Sequence, residues 1–451
     1  MNDAARDPAA LKAGSLTFVE VLATSVALIG PSMTPILIAP YMFATAGNGT
    51  WAAYVFGGTM LVFVAFCINQ FARRSSAAGS MYGYVAEHLG PAAGAVAGWT
   101  LLWAYGFGAT AVLGAMALFA GLMLDDFGIH VPPVAIAAVL AVAAWQAAYR
   151  GVQVSAIVML VLELVSVTII CVLVAFVLHA YGPRLDLAQV TVRGGFPGGA
   201  GLAIAVAVFS YVGFESATAF GAEAKRPLVT IPRAVIGSVL FASAFFIVAT
   251  YAEIVGFAHI GKPFDKESFP LGTLVDAYGL GYLHVPILIG ALASAFSVCL
   301  ACITTGGRIA FAMAGAGILP AAFARIEPKH DTPNVAVTVI TATTLAIATA
   351  CLLGRVAPVD VFNNCGLLSS FGFILIYALI AVAAAVYAKR LGTMRAADIA
   401  ISGIALILLC LATVWLFDSV PAPPQRWFGY WFLAFVAAGW LAYRVRRTTA
   451  S

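Results

Sequence analysis

The chain has 451 residues, of which 63% are hydrophobic and only 9% charged, with a mean hydropathy of +1.01 and a formal net charge of +4. Soluble domains carry about 25% charged residues, so this composition excludes a water-soluble globular protein and requires lipid as solvent. The small net charge gives no reason to expect nucleic-acid binding.

Residues 1–14 are polar, carry Arg6 and Lys12, and read as a short cytoplasmic tail. The apolar run after them is too long for a signal-peptide core and has no small-residue cleavage site. About twelve runs then approach the roughly 20 apolar residues that a crossing needs. They cover 16–44, 51–71, 84–124, 132–149, 154–180, 198–221, 233–258, 285–312, 333–354, 359–388, 397–417 and 427–444. The first, third and tenth are long enough to tilt or to extend past the bilayer. No soluble domain or low-complexity tract interrupts them.

Charge tests this count independently. With twelve crossings, none of the 23 Lys and Arg falls in the hydrocarbon. Seventeen lie on the side of the N-terminus, from Arg6 and Lys12 through Arg73, Arg150, Lys225, Arg308 and Lys389 to Arg447. The other side holds Arg184, Arg193, Lys262, Lys266, Arg355 and Arg426. The positive-inside rule then places both termini in the cytoplasm of a multi-pass protein of the plasma (inner) membrane.

Two runs are poor helices where a crossing needs good ones. In the first, Ile29-Gly30-Pro31-Ser32-Met33-Thr34-Pro35 puts a proline near mid-span, where it removes a backbone donor and clashes one turn back. In the sixth, Ser210-Tyr211-Val212-Gly213-Phe214-Glu215 places a glycine and a carboxyl at membrane depth. Irregular backbone at that depth persists only where it lines a cavity or is buried in protein. The two breaks sit five runs apart, in matching positions of two five-run halves, the arrangement that marks a midplane binding site in inverted-repeat transporters. A half-helix N-terminus there favours a carboxylate, and freed carbonyls favour an ammonium.

Cys299-x-x-Cys302 has the spacing of a redox or metal pair, but it lies in an apolar run without a second pair and reads as core packing. The six His are scattered. There is no Asp-rich metal motif, His cluster or catalytic dyad, so the expectation is no metal, no cofactor and no enzymatic activity.

Three groups of residues resemble the amino acid–polyamine–organocation permeases. The first is Phe209-Ser-Tyr-Val-Gly-Phe-Glu215-Ser-Ala with Ala222-Glu-Ala-Lys-Arg-Pro227 and Ile231-Pro-Arg-Ala234. The second runs from Leu292-Ala-Ser-Ala-Phe-Ser297 through Arg308 to Gly317-Ile-Leu-Pro320 and Thr332-Pro333. The third runs from Arg73 to Tyr84, with Ala78-Gly79-Ser80, and on to Gly98-Trp99. They keep the order of that family over most of the first ten runs. The resemblance implies an all-α fold of about twelve transmembrane helices. Residues 15–388 would form a ten-helix, five-plus-five inverted-repeat core with helices 1 and 6 broken, and 389–451 would add two helices and a short tail. It also implies an amino acid, polyamine or similar organocation as substrate, and coupling to protons or to exchange.

One departure stands out. Where many relatives have a Gly-x-Gly-like loop whose amides hold a carboxylate, this chain has Pro31, which has no amide proton. The amides of Ser32, Met33 and Thr34 remain. The residues therefore leave a proton-coupled amino acid importer and an amine or polyamine porter or exchanger both open. The candidate substrate-binding set is Ile29, Gly30, Ser32, Met33, Thr34, Phe209, Ser210, Tyr211, Val212 and Gly213. Intramembrane carboxyls mark function, which makes Glu163 and Glu215 the proton-coupling candidates. Desolvation disfavours the charged form of a carboxyl, and the resemblance ties a Glu at the position of Glu215 to substrate or proton handling. Glu253, near the outer end of its run, reads as solvated or snorkelling. Ser294, Ser297, Ser369 and Ser370 are weaker wall candidates.

Overall fold

A computed structural model describes residues 17–73, 81–151, 156–195, 199–220, 224–330, 332–392, 395–418 and 423–450. The tail at 1–14, residues 74–80 of the third motif group and residues 222–223 of the first lie outside these. The helices are α1 (Phe18–Ile29), α2 (Ala39–Ala46), α3 (Thr50–Ala72), α4 (Met81–Leu89), α5 (Pro91–Asp126), α6 (Pro133–Tyr149), α7 (Ala156–Tyr181) and α8 (Leu187–Val190). They continue with α9 (Ala200–Tyr211), α10 (Pro227–Ile260), α11 (Pro270–Ala277), α12 (His284–Gly315), α13 (Asn334–Leu353), α14 (Pro358–Arg390), α15 (Ala396–Asp418) and α16 (Phe428–Ala450). Among the described residues there is no strand, only one bridge between Glu327 and Thr332.

Ten stretches of the described residues are helical, long and apolar enough to cross a membrane. The first of them, Phe18–Ala72, contains the interruption after Ile29 and the turn before α3. The apolar helix Pro133–Tyr149 is shorter. The run read at 84–124 is two elements, because Gly90 adopts φ +91° and Pro91 starts a new helix. Only a residue without Cβ takes that φ at no cost.

Helix association in lipid relies on close backbone approach and interhelical hydrogen bonds, and both are visible around α5. This helix lies at the centre, against α12, α14, α4 and α16. A Cβ on Gly372 of α14 would fall 2.9 Å from the Thr100 carbonyl oxygen, and one on Gly114 of α5 2.9 Å from the Pro358 carbonyl oxygen. Trp103 Nε1 donates to the Leu368 carbonyl at 2.7 Å, and Ser369 Oγ to the Ala104 carbonyl at 2.7 Å. On the other flank α10 packs along α3. Asn69 Nδ2 donates to the carbonyl of Pro232, which lies inside α10.

Candidate functional site

The first break is built by Gly30. It caps α1 with φ +63° and ψ 55°, and its amide donates to the Ala27 carbonyl at 3.2 Å. A side chain there would be strained by φ, and its Cβ would meet Met33 Cε at 2.8 Å and Val298 Cγ2 at 2.9 Å. Pro31 and Ser32 form a turn, a π-helical segment covers Thr34–Ile38, and α2 resumes at Ala39. π-segments inside helices are frequent at functional sites.

The second break follows Tyr211. Val212 is extended, with ψ 132°, and Gly213 has φ +110°, after which a 3₁₀ segment runs from Phe214 to Phe220. The breaks touch. A Cβ on Gly213 would lie 2.5 Å from the Leu28 carbonyl oxygen, and Ser25 Oγ donates to the Phe214 carbonyl at 3.1 Å.

Between the breaks lies a narrow cavity. Of the residues expected from sequence, Ile29, Gly30, Met33, Thr34, Phe209, Ser210 and Val212 line it. Ser32, Tyr211 and Gly213 do not. The Ser32 amide is directed at Glu163, Gly213 lies behind the first break, and Tyr211 donates its hydroxyl to the Tyr54 carbonyl at 3.0 Å, away from the cavity. The rest of the wall, Ile38, Gly108, Val112, Val298, Cys302, Phe362 and Phe373, was missed by the sequence reading. These residues come mainly from α5, α12 and α14, where nothing local distinguishes the inward face of an apolar helix. Among the described residues, no Asp, Glu, Lys, Arg or His lines the cavity. Phe209 is held edge-on to Phe362 at 5.7 Å between centroids, and its ring lies against Gly366, where a Cβ would come within 2.8 Å.

The two carboxyls proposed for proton coupling lie outside this wall, each tied to one break. Glu163 of α7 is 4% exposed, and its Oε1 accepts the Ser32 amide at 3.0 Å. The hydroxyls of Ser32 and Ser294 lie beside it. Glu163 Oε2 and the hydroxyls of Ser32, Ser166 and Ser294 are buried without a protein partner among the described residues. Glu215 is more completely held. Its Oε1 accepts from Tyr105 Oη at 3.3 Å, and its Oε2 from the Gly213 amide at 3.2 Å and Tyr377 Oη at 3.4 Å. Ser369 and Ser370 are spent on the carbonyls of Ala104 and Ala205. Glu253 is 1% exposed, which corrects the solvated or snorkelling placement expected for it.

Cys302 reaches the cavity wall, while Cys299 is buried behind it, its thiol 3.9 Å from the Ala109 carbonyl. Among the described residues no group of His, Cys, Asp or Glu is arranged to hold a metal.

Interrupted helices that meet across a neutral cavity, inside a bundle of apolar helices, define a multi-pass membrane permease. The chain belongs to the amino acid permease family, whose model matches residues 26–438. It is 25% identical to a branched-chain amino acid permease of Bacillus subtilis, over 77% of this chain and 75% of that protein. It is 31% identical to an uncharacterized transporter of Mycobacterium tuberculosis, over 76% and 73%, and 24% identical to a methylthioribose transporter of Bacillus subtilis, over 88% and 86%.

Proposed function

We propose that this chain imports neutral amino acids with apolar side chains across the plasma membrane by proton-coupled alternating access. The observation that carries the substrate reading is the cavity wall, which among the described residues has no charged side chain and is mostly apolar beyond the polar groups of Thr34, Ser210 and the broken backbone. A zwitterion brings its own balanced charges, and helix termini and freed backbone groups suit both ends of it. A cationic side chain would have no carboxylate to meet on this wall. The branched-chain amino acid permease among its relatives points the same way.

Proton coupling is assigned to Glu163, because its carboxyl holds an amide of the first break. Gain or loss of a proton there changes a bond to the element that contacts substrate. Glu215 has donors from Tyr105, Tyr377 and Gly213, which suits a fixed pin at the second break as well as proton handling. The remaining topology is proposed with this function. It comprises a tail at 1–14, twelve crossings with a five-plus-five inverted repeat over 15–388, two further helices over 389–451, and both termini in the cytoplasm. An amine porter or exchanger is the second reading. It is favoured by the first break, where Pro31 has no amide proton and the Ser32 amide is already engaged, so fewer donors remain for a substrate carboxylate.

The test is uptake into proteoliposomes of labelled leucine, valine, lysine and putrescine, with and without an inward proton gradient, for wild type and Glu163→Gln. Leucine or valine accumulation that follows the gradient in wild type and fails in the variant is the expected result. Uptake of putrescine alone, or accumulation that ignores the gradient and needs internal solute, overturns it.

A further inference from the structure

Glu253 is a buried carboxyl to which no protein group donates among the described residues. It lies on α10, at helical spacing from Phe246 and Thr250, on the side that meets α3. Both carboxyl oxygens are buried and neither has a hydrogen-bond partner among the described residues. The nearby Thr250 hydroxyl is turned to the Phe246 carbonyl at 2.7 Å. The elements packed on α10 carry several ionisable groups: Glu20 on α1; Tyr54 and Cys67 on α3; Glu163, Cys171, His179 and Tyr181 on α7; Glu215 in the 3₁₀ segment after α9; Asp265 and Lys266 after α10; and Asp276 on α11. Of these, Tyr54 is the one placed on this face of α10, packed on Phe246 two turns before Glu253, and among the described residues no Lys, Arg or His is paired with Glu253.

An ionised carboxylate sealed from water, without a cation or donor, costs many kcal/mol, and such a group takes up a proton instead. Ionising Glu253 therefore requires water between α3 and α10. Closing that contact converts carboxylate and hydronium to carboxylic acid and water, one proton per closure. The contact also reaches the cavity. Tyr54 packs on Phe246 at 5.4 Å, and its hydroxyl shares a hydrogen bond with Ser210 Oγ at 3.4 Å, on the cavity wall.

We propose that Glu253 is a proton-binding positioning residue, whose protonation closes α10 on α3 and through Tyr54 holds Ser210 in its substrate-binding place. This rests on the transport reading but not on proton coupling through Glu163, because a change at the α3–α10 contact needs no net proton movement across the membrane. Raising pH draws the equilibrium toward the hydrated, open contact and weakens substrate binding.

The experiment is substrate counterflow in proteoliposomes with no proton gradient, with KM measured from pH 6 to pH 9 for wild type, Glu253→Gln and Tyr54→Phe. In wild type, KM is expected to rise toward alkaline pH by at most about tenfold per pH unit for each linked proton. Glu253→Gln, neutral at every pH, should lose the part of the rise that this carboxyl contributes and keep only that of Glu163. Tyr54→Phe, which leaves the carboxyl but cuts its link to Ser210, should flatten the same rise at a higher KM. A direct readout accompanies them: the infrared carbonyl band of a protonated carboxyl, present in wild type and reduced in Glu253→Gln. A wild-type KM profile in Glu253→Gln, or an unchanged carbonyl band, overturns the proposal. Failure of gradient-driven accumulation, with these profiles as expected, would instead remove the proton-coupling role of Glu163 and leave Glu253 in place.

Discussion

Gly213 rests against the backbone of Leu28, so closely that a methyl group on Gly213 would lie 2.5 Å from the Leu28 carbonyl oxygen. The two interrupted helices are thus not independent kinks. Each break is shaped to admit the other, and the cavity is what their meeting leaves.

This contact predicts a severe effect for Gly213→Ala. The residue has φ +110°, and strain of that kind costs about 1–3 kcal/mol before the clash with Leu28 is added. The purified variant should unfold at lower temperature and lose transport. Gly403→Ala is the matched control, since a Cβ there meets nothing within 4 Å, and replacing a mid-helix glycine stabilises by about 0.5–1 kcal/mol. Equal melting temperatures for the two variants would contradict the close approach of the breaks.

The bond from the Ser32 amide to Glu163 separates two substitutions. Glu163→Gln keeps an oxygen to accept it. Glu163→Ala leaves a buried amide unsatisfied, which costs about 1–3 kcal/mol. Thermal unfolding in detergent should rank wild type and Glu163→Gln together, with Glu163→Ala below. Gradient-driven uptake should be lost in both variants. A Glu163→Ala protein as stable as Glu163→Gln would show that the bond contributes nothing.

The cavity wall predicts where selectivity resides. Val112 and Val298 face the cavity from α5 and α12. Val298→Ala should shift preference from valine toward leucine and phenylalanine, with each methylene worth about 1–3 kcal/mol in a hydrophobic pocket. Competition assays read this as a ratio of inhibition constants, and an unchanged ratio would move the side-chain site elsewhere.

Cys302 is the buried cysteine of this wall, which a reagent reaches only as the cavity opens during transport. A small membrane-permeable thiol reagent should inhibit transport, and substrate should protect against it. Cys302→Ser should be resistant, because the exposed Cys171 and Cys410 lie away from the cavity. Inhibition that persists in Cys302→Ser would place the sensitive thiol outside the substrate path.

Glu215 is expected to behave as one unit with its tyrosines. Tyr377→Phe and Glu215→Gln, singly and together, form a cycle whose coupling energy for a directly bonded pair is about 0.5–3 kcal/mol. Additive changes in unfolding free energy would mean that the 3.4 Å contact contributes no stability.

Much of this site was legible in the linear chain. Gly30-Pro31 and Gly213 act on their own backbone, through φ and a missing donor, so both breaks and the wall residues Ile29, Gly30, Met33, Thr34, Phe209, Ser210 and Val212 could be read without neighbours. Tyr211 and Ser32 belong to the same segments, but the rotation of each turn sends one to Tyr54 and engages the amide of the other with Glu163. Val112, Val298 and Phe362 were invisible for a related reason. In a helix that is apolar all round, no periodicity distinguishes a cavity face from a lipid face.

The division follows from the range of the forces. Composition, charge distribution and the Pro and Gly interruptions are local quantities, and by themselves they determined that this is a multi-pass membrane protein with two broken helices. Which side chains meet the cavity, which carboxyl holds the Ser32 amide, and that Glu253 is sealed inside the bundle were decided only by tertiary structure. Helix rotation and depth are set by how small residues such as Gly114 and Gly372 let one backbone seat against another, a relation between distant segments that no single segment carries.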